Sequence, residues 1–384
     1  MRRQRGLVGL MGLAALVGLG VVAKPAMSAV TTEKSASILV FPKVIANGAR
    51  DTIIQITNTS NSVQHAHCYY INGAPSRAGG PPLCLEIDFD IWLTKQQPTH
   101  WVVSKGRQVS FEGTCSNTTL CDPTTTGGPV AACCDAGFDP GRIPPVAPDF
   151  VGELFCVLTD AGDSPYPGNA IKGEATLEDI ATGDISKYNA IGLIGYNTNN
   201  GDATLCLGPD GASNASCPSR EYEACPATWL LDHAARGASS AVEADSNYSI
   251  QPNLTVVPCT INLESQAPTS VILQFDVINE FELHLSTSTT VTCWASWDLG
   301  APTGGVSDVF NAATAMGSVL QTRVRSASGT PRGVMIVVEE THASASPAAT
   351  AKSAQNAHAG FTDRPGLDVV TIPADQLEKN LPVE

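Results

Sequence analysis

Charge, aromatic side chains and long apolar runs are all scarce in this chain. Only 15% of its 384 residues are charged and 6% are aromatic, against 34 glycines and 26 prolines. So few charges and so many helix breakers leave no room for long amphipathic helices, which points to a β-rich, loop-rich chain. Basic residues are the scarcer sign: 22 Lys and Arg against 37 Asp and Glu give a formal net charge of −15. Nucleic acid and anionic membranes attract basic surfaces, so neither is expected as a partner. Beyond the N-terminal segment no apolar run approaches the ~20 residues that a membrane-spanning helix needs. The nucleophile-elbow pattern Gly-x-Ser-x-Gly, His-Glu-x-x-His, a phosphate-cradling glycine loop and an EF-hand loop are also missing, so no common hydrolase, nucleotide or calcium-sensor signature is present.

What is present begins with an export signal. Arg2, Arg3 and Arg5 precede an apolar stretch from Gly6 to Val22, and Pro25 with Ala26-Met27-Ser28-Ala29 offers a break and small residues for cleavage after Ser28 or Ala29. Residues 1–28 are therefore read as a signal peptide, with no membrane span after cleavage. Its removal takes away four more positive charges, Arg2, Arg3, Arg5 and Lys24. The expected location is the periplasm, the cell surface or the medium. Twelve cysteines fit that address, because disulfides persist outside the reducing cytosol. They are Cys68, Cys84, Cys115, Cys121, Cys133, Cys134, Cys156, Cys206, Cys217, Cys225, Cys259 and Cys293. Connectivity stays open from sequence. Cys68 with Cys84 and Cys259 with Cys293 are candidate pairings, and adjacent Cys133 and Cys134 need two different partners.

The strongest local pattern is LEIDFDIWL. Leu85, Ile87, Phe89, Ile91 and Leu93 alternate with Glu86, Asp88, Asp90 and Trp92, the two-residue period of a half-buried strand. Leu273, Phe275, Val277, Phe281, Leu283 and Leu285 keep one parity in LQFDVINEFELHL, and FDIWL echoes FELHL, which suggests a duplicated unit. Short strands separated by turn residues recur along the chain. PATWLLDHAAR, with Pro226 at its start and Gly237 past its end, predicts one short helix, and 307–316 predicts a second. The expected architecture is all-β: two immunoglobulin-like antiparallel β-sandwich units over 34–250 and 251–342. The first carries Cys-rich insertions at about 113–148 and 206–237, and an Ala/Ser-rich linker and tail fill 343–384.

Two clusters carry candidate chemistry. His65 and His67 stand two apart on a predicted strand, so both imidazoles share a face and could reach one metal, with His100 or one of Glu86, Asp88 and Asp90 as third ligand. The plain alternative is two strand histidines that face solvent or pack on Tyr69. The carboxylates of Glu86, Asp88 and Asp90 lie about 7 Å apart in steps along a strand, so calcium would need oxygens from neighbouring loops. The plain alternative there is an edge strand kept soluble by charge. Trp92 shares the carboxylate face and could stack on a sugar or be covered by a loop. Glu339-Glu340-Thr341-His342 reads as a solvated strand end, and Asp232-His233 lacks a marked serine partner for a hydrolase.

The strings SILVFPKV, DTIIQITNTS, AHCYYING, FDIWLTKQQPTHWVVSKG, FDPGRIPPV, CPATWLLDH and VTCW together resemble a group of uncharacterised exported proteins of environmental bacteria, from Ser35 to His342. The resemblance implies export and transfers no activity. More loosely, the strand pattern is similar to immunoglobulin-like accessory modules of surface proteins. The leading expectation is a non-enzymatic extracytoplasmic protein acting in surface structure, adhesion or assembly, with surface proteins or polysaccharide as partners. No cofactor is expected, calcium being the one ion the acidic face suggests. The alternatives are a calcium- or carbohydrate-binding module at Trp92 and the carboxylates, and a metal-dependent hydrolase at His65 and His67.

Overall fold

A computed structural model describes residues 30–77, 80–107, 143–160, 162–196, 201–209, 211–238, 248–327, 332–345, 348–359 and 366–373. The signal segment, Cys115, Cys121, Cys133 and Cys134, and the last residues of the tail lie outside them. The strands are, in chain order, β1 (Ile38–Ala46), β2 (Arg50–Asn58), β3 (Gln64–Asn72), β4 (Glu86–Leu93), β5 (Pro98–Val102), β6 (Phe150–Thr159) and β7 (Ile171–Asp179). Next come β8 (Ile185–Asn189), β9 (Ile191–Leu193), β10 (Thr204–Leu207), β11 (Thr228–Ala234), β12 (Tyr248–Pro258), β13 (Ile261–Asn262) and β14 (Ser270–Asn279). The last are β15 (His284–Thr292), β16 (Ala295–Asp298), β17 (Val319–Ser326), β18 (Val334–Ala345), β19 (Ala348–Asn356), β20 (His358–Ala359) and β21 (Asp368–Thr371). One short helix, α1 (Ala312–Ala315), follows a 3-10 turn over Asp308–Phe310.

These strands form five small sheets, ordered β4-β3-β6-β1-β9, β5-β2-β7-β8, β10-β21-β13, β15-β14-β17-β11-β20 and β16-β12-β18-β19. Pairing is antiparallel except between β13 and β21. The all-β class is as expected, but the arrangement is that of a five-bladed β-propeller of small sheets, not two immunoglobulin-like sandwich units. The burial pattern gives the physical reason. In a free-standing sandwich each sheet turns one face to solvent. Here β1 is buried at every position and β3 and β6 at nearly every one. One face of their sheet packs Leu39, Phe41, Tyr70 and Leu154 against Ile54, Ile56 and Leu177. The other packs Ile38, Val40, Tyr69 and Phe155 in one continuous core with Trp229, Leu254, Phe275 and Ile336, across the expected boundary at residue 250.

Three local expectations also change. The predicted helix at 226–236 is strand β11, because Trp229, Leu231 and His233 share a buried face while Leu230 and Asp232 point outward, and the segment pairs with β17. The expected linker after 342 contains β19, paired along its length with β18. The run through Phe281 and Leu285 is two strands, β14 and β15, joined by a turn whose Phe281 is 74% exposed. FELHL therefore spans a turn where FDIWL is a continuous strand, and the two are not equivalent. The expected helical segment near 307–316 is present as the 3-10 turn and α1.

Four disulfides join described residues: Cys68–Cys156, Cys84–Cys293, Cys206–Cys217 and Cys225–Cys259. The pairings Cys68–Cys84 and Cys259–Cys293 are thereby overturned. Cys68 and Cys156 face each other directly on β3 and β6, which brings their Cα atoms to 4.0 Å, whereas sequence proximity decides nothing across paired strands.

Glu153 on β6 breaks the apolar pattern of the shared core. It is 4% exposed and lines a cavity of about 20 Å³ with Val40, Phe155, Leu207, Val257 and Met335. Burial, with no compensating partner among the described residues, pushes its carboxyl up from 4.5 to about 8. A raised carboxyl binds its proton more tightly in the folded state, so its contribution is full below pH 4.5 and is lost as pH rises through about 8. Glu153→Gln should therefore be more stable than the parent protein at pH 9, by up to about 5 kcal/mol, and near parity at pH 4. Urea unfolding at both pH values checks this; the same pH slope in parent and variant would remove Glu153 as the cause.

Candidate functional site

β3 lies between β4 and β6, and its two-residue period divides QHAHCYYIN cleanly. Ala66, Cys68 and Tyr70 enter one core, while His65, His67 and Tyr69 take the opposite face. On β4, Phe89, Ile91 and Leu93 are buried and Glu86, Asp88, Asp90 and Trp92 form the other face, as their alternation requires. Leu85 and Ile87, expected on the buried face, are 51% and 40% exposed at the strand's start. The register sets His65 opposite Trp92, His67 opposite Asp90, Tyr69 opposite Asp88 and Ile71 opposite Glu86. The two clusters that sequence treats separately are thus one site on adjoining strands.

Direct and diagonal neighbours across the pair are in contact. His65 Nε2 lies 2.9 Å from Asp90 Oδ1, and its Nδ1 lies 2.8 Å from the Thr159 hydroxyl and 3.0 Å from the Asp160 carbonyl oxygen. His67 Nε2 lies 2.9 Å from Asp88 Oδ2 and its Nδ1 2.9 Å from Asp163 Oδ2. Each imidazole is also stacked, His65 on Trp92 with centroids 4.0 Å apart and His67 on Tyr69 at 4.6 Å. Both rings are therefore fixed in plane and direction. Trp92 is half-buried with one ring face committed to His65, which leaves less of it for a sugar than a free Trp offers.

Asp163 is the residue that sequence reasoning missed. It sits just after β6 in a tight turn, where the Gly162 and Ser164 amides donate to Asp160 Oδ1 and Asp163 adopts φ 66°. An acidic turn at a strand end was visible in DAGDSP. Its neighbour, 96 positions earlier in the chain, was not. His100, offered as a third ligand, is exposed on β5 in another sheet, away from the pair.

The electrostatics follow from these contacts. Burial pulls both imidazoles down, but the carboxylates outweigh it: Asp90 raises His65, and Asp163 and Asp88 carry His67 to about 10. Burial pushes the Asp163 carboxyl up, and His67 more than reverses this, holding it below the usual range. Burial, then the carboxylates of Asp163, Asp88, Glu86 and Asp90, push the Tyr69 phenol up. Glu86 is raised by burial and by Asp88.

Ligand-type atoms of His65, Asp90 and Asp163 all lie within 4.8 Å of one another. His67 Nδ1 is 3.7 Å from Asp90 Oδ1, so a second imidazole borders the same space. Asp163 Oδ1, the Tyr69 hydroxyl and Glu86 Oε2 are buried without a hydrogen-bond partner. Buried polar atoms of that kind call for an explanation, and a neighbouring ion or water is one. Two imidazoles and two carboxylates make a mixed nitrogen and oxygen set suited to zinc-class divalent ions, whereas calcium takes oxygen ligands alone.

The other sequence candidates do not assemble. His233 is buried and bonded to Thr322 and the Ala234 carbonyl, while Asp232 is exposed on the opposite face of β11. Glu280 accepts from the Ser318 and Val319 amides and closes a turn. Glu339, expected in solvent, is 3% exposed. The chain matches no protein-family model and no curated protein.

Proposed function

We propose that this is a non-enzymatic extracytoplasmic protein of disulfide-stapled β-sheets that holds a divalent cation on the β3–β4 face and acts in surface structure, adhesion or assembly. The four disulfides among the described residues fit an oxidising compartment, and among those residues no helix is long and apolar enough to cross a membrane. The observation that carries the cation reading is the convergence of His65, Asp90 and Asp163, with His67 at the border and the orphaned Asp163 Oδ1 beside them. Asp90 and Asp163 supply the charge, the imidazoles select a transition metal, and the stacked rings hold the donors in place.

A second reading has its own support. All four imidazole nitrogens already lie within 3.0 Å of an oxygen, so the cluster also works as an imidazolium–carboxylate ladder that locks the Asp160–Ser164 turn onto β3. Thermal unfolding of the oxidised mature protein, stripped with EDTA and then given zinc, manganese or calcium, separates the two. A ligand at 100 times its dissociation constant adds about 2.7 kcal/mol, so zinc should raise the midpoint by a few degrees. Asp163→Asn should abolish that rise. No bound metal after dialysis and no shift with any of the three ions would leave the ladder alone. A shift with calcium only would keep a cation on the acidic face and discard imidazole ligation.

A further inference from the structure

Lys43 is 2% exposed, in a core where an uncompensated ammonium is costly. It sits in a β-bulge of β1, where the pairing to β6 shifts between Phe41 and Val44. Bulges re-aim side chains, and this one sends Lys43 out of its own sheet towards β12 and β18. The bulge is held from outside: Tyr188 donates to the Lys43 carbonyl and accepts from its amide, and Trp294 Nε1 donates to the Pro42 carbonyl at 2.8 Å.

The Lys43 amine meets two groups. Nζ lies 2.7 Å from Asn253 Oδ1 and 2.8 Å from Glu339 Oε2. Asn253 and Glu339 are directly opposed in the β12–β18 register, so their side chains share one face beside the amine. The Asn253 amide is fixed at both ends. Its Oδ1 also accepts from the Ser296 hydroxyl at 2.9 Å, and its Nδ2 donates to Asp298 Oδ1 at 3.0 Å. Glu339 is fixed in turn by Arg50, which donates from both terminal nitrogens, and by the Ser186 hydroxyl at 2.7 Å. A buried amine thus rests against a polarised, immobile carboxamide, with a carboxylate oxygen touching the amine.

We propose that Lys43 and Asn253 are joined by an intramolecular isopeptide bond, formed by the protein itself with Glu339 as the proton carrier. In the step, Nζ gives a proton to Glu339 Oε2 and its freed lone pair attacks Asn253 Cγ. The Nζ–Cγ bond forms and the Cγ–Nδ2 bond breaks. Lys43 gives up two protons in all, both of which leave with Nδ2 as ammonium, so charge balances and no oxidant or co-reactant is consumed. The Ser296 hydroxyl faces the oxygen on which negative charge develops during attack, the position where a preorganised donor lowers a barrier most. Holding amine and carboxamide in contact supplies the proximity that such a slow aminolysis needs. Burial also pulls the Lys43 amine down despite Glu339, which favours the neutral nucleophile. The bond ties β1 to β12 across 210 positions of chain and, unlike the disulfides, resists reductants.

Intact mass spectrometry of the wild-type mature protein, fully reduced and denatured, tests this without any variant. The expected mass is that of the processed sequence less one ammonia, and peptide mapping should find a branched peptide joining Lys43 to Asn253. Lys43→Met and Asn253→Ser should each restore the full mass. A wild-type mass equal to the processed sequence, with the Lys43 peptide recovered unbranched, overturns the proposal. So does an ammonia loss that maps to any other pair of residues. Deamidation of Asn253 raises the mass and is told apart directly.

Discussion

Glu339→Ala is expected to lower the unfolding free energy at pH 7 by about 3–5 kcal/mol, the usual cost of removing one partner from a buried charge cluster. The Glu339 carboxylate takes bonds from Lys43, from both terminal nitrogens of Arg50 and from Ser186, which come from β1, β2 and β8, while Glu339 itself belongs to β18. Without it the Arg50 guanidinium, 16% exposed in its side chain, is left in the core without the carboxylate that pairs it, and the Lys43 end loses its acceptor. Three sheets lose their common polar contact at once. The exposed pair Lys187–Glu174 is the control, and its loss should cost under about 1 kcal/mol. Burial pushes the Glu339 carboxyl up, but Lys43 and Arg50 pull it well below the usual range. A depressed carboxyl contributes stability above its unfolded value of 4.5 and loses it as pH falls through the folded value. Parent protein should therefore lose stability in acid faster than Glu339→Gln, measured by urea unfolding from pH 7 to pH 3. A cost below 1 kcal/mol at pH 7, with parallel acid slopes, would mean that the cluster is solvated.

Removing the Cys84–Cys293 bridge by Cys84→Ser with Cys293→Ser should cost about 4 kcal/mol. The two residues are 209 positions apart, the longest loop closed by a bridge among the described residues. Loop closure in the unfolded chain grows with the logarithm of length, which gives about 5 kcal/mol for so long a loop before the other bridges shorten it. By the same argument the Cys206–Cys217 bridge, separated by 11 positions, should contribute less, about 2–3 kcal/mol. Both ends of the long bridge sit at positive φ, 54° at Cys84 and 61° at Cys293, a region that disfavours side chains. The bridge holds that backbone in place, so its loss should also free the approach of the Cys84 amide to Asn72 and of the Cys293 amide to Thr269. Chemical denaturation of the double variant measures the first effect, and faster amide exchange at Cys84→Ser and Cys293→Ser positions the second. Equal costs for the long and short bridges would show that the unfolded chain is not what the long one restrains.

How far the sequence could be read depended on the range of the interaction. Period-2 alternation is local, so β4 and the shared face of His65 and His67 were legible from their own residues. β11 was not, because Pro226 and Gly237 mimic helix ends while the pairing with β17 that makes it a strand comes from residues 319–325. β19 was hidden by an Ala/Ser composition with no preference of its own, and β18 imposes the extended form.

Local pattern was enough for the all-β class, the cysteine supply for an oxidising compartment and the two halves of the site on β3 and β4. Tertiary structure alone decided that those halves adjoin, that Asp163 completes them, which cysteines meet, and that Glu339 is a buried hub and no solvated strand end. The physical reason is the same in each case. A side chain's direction follows from its neighbours one and two positions away. Its partner follows from strand order and register, which are settled by burying β1, β3 and β6 on both faces.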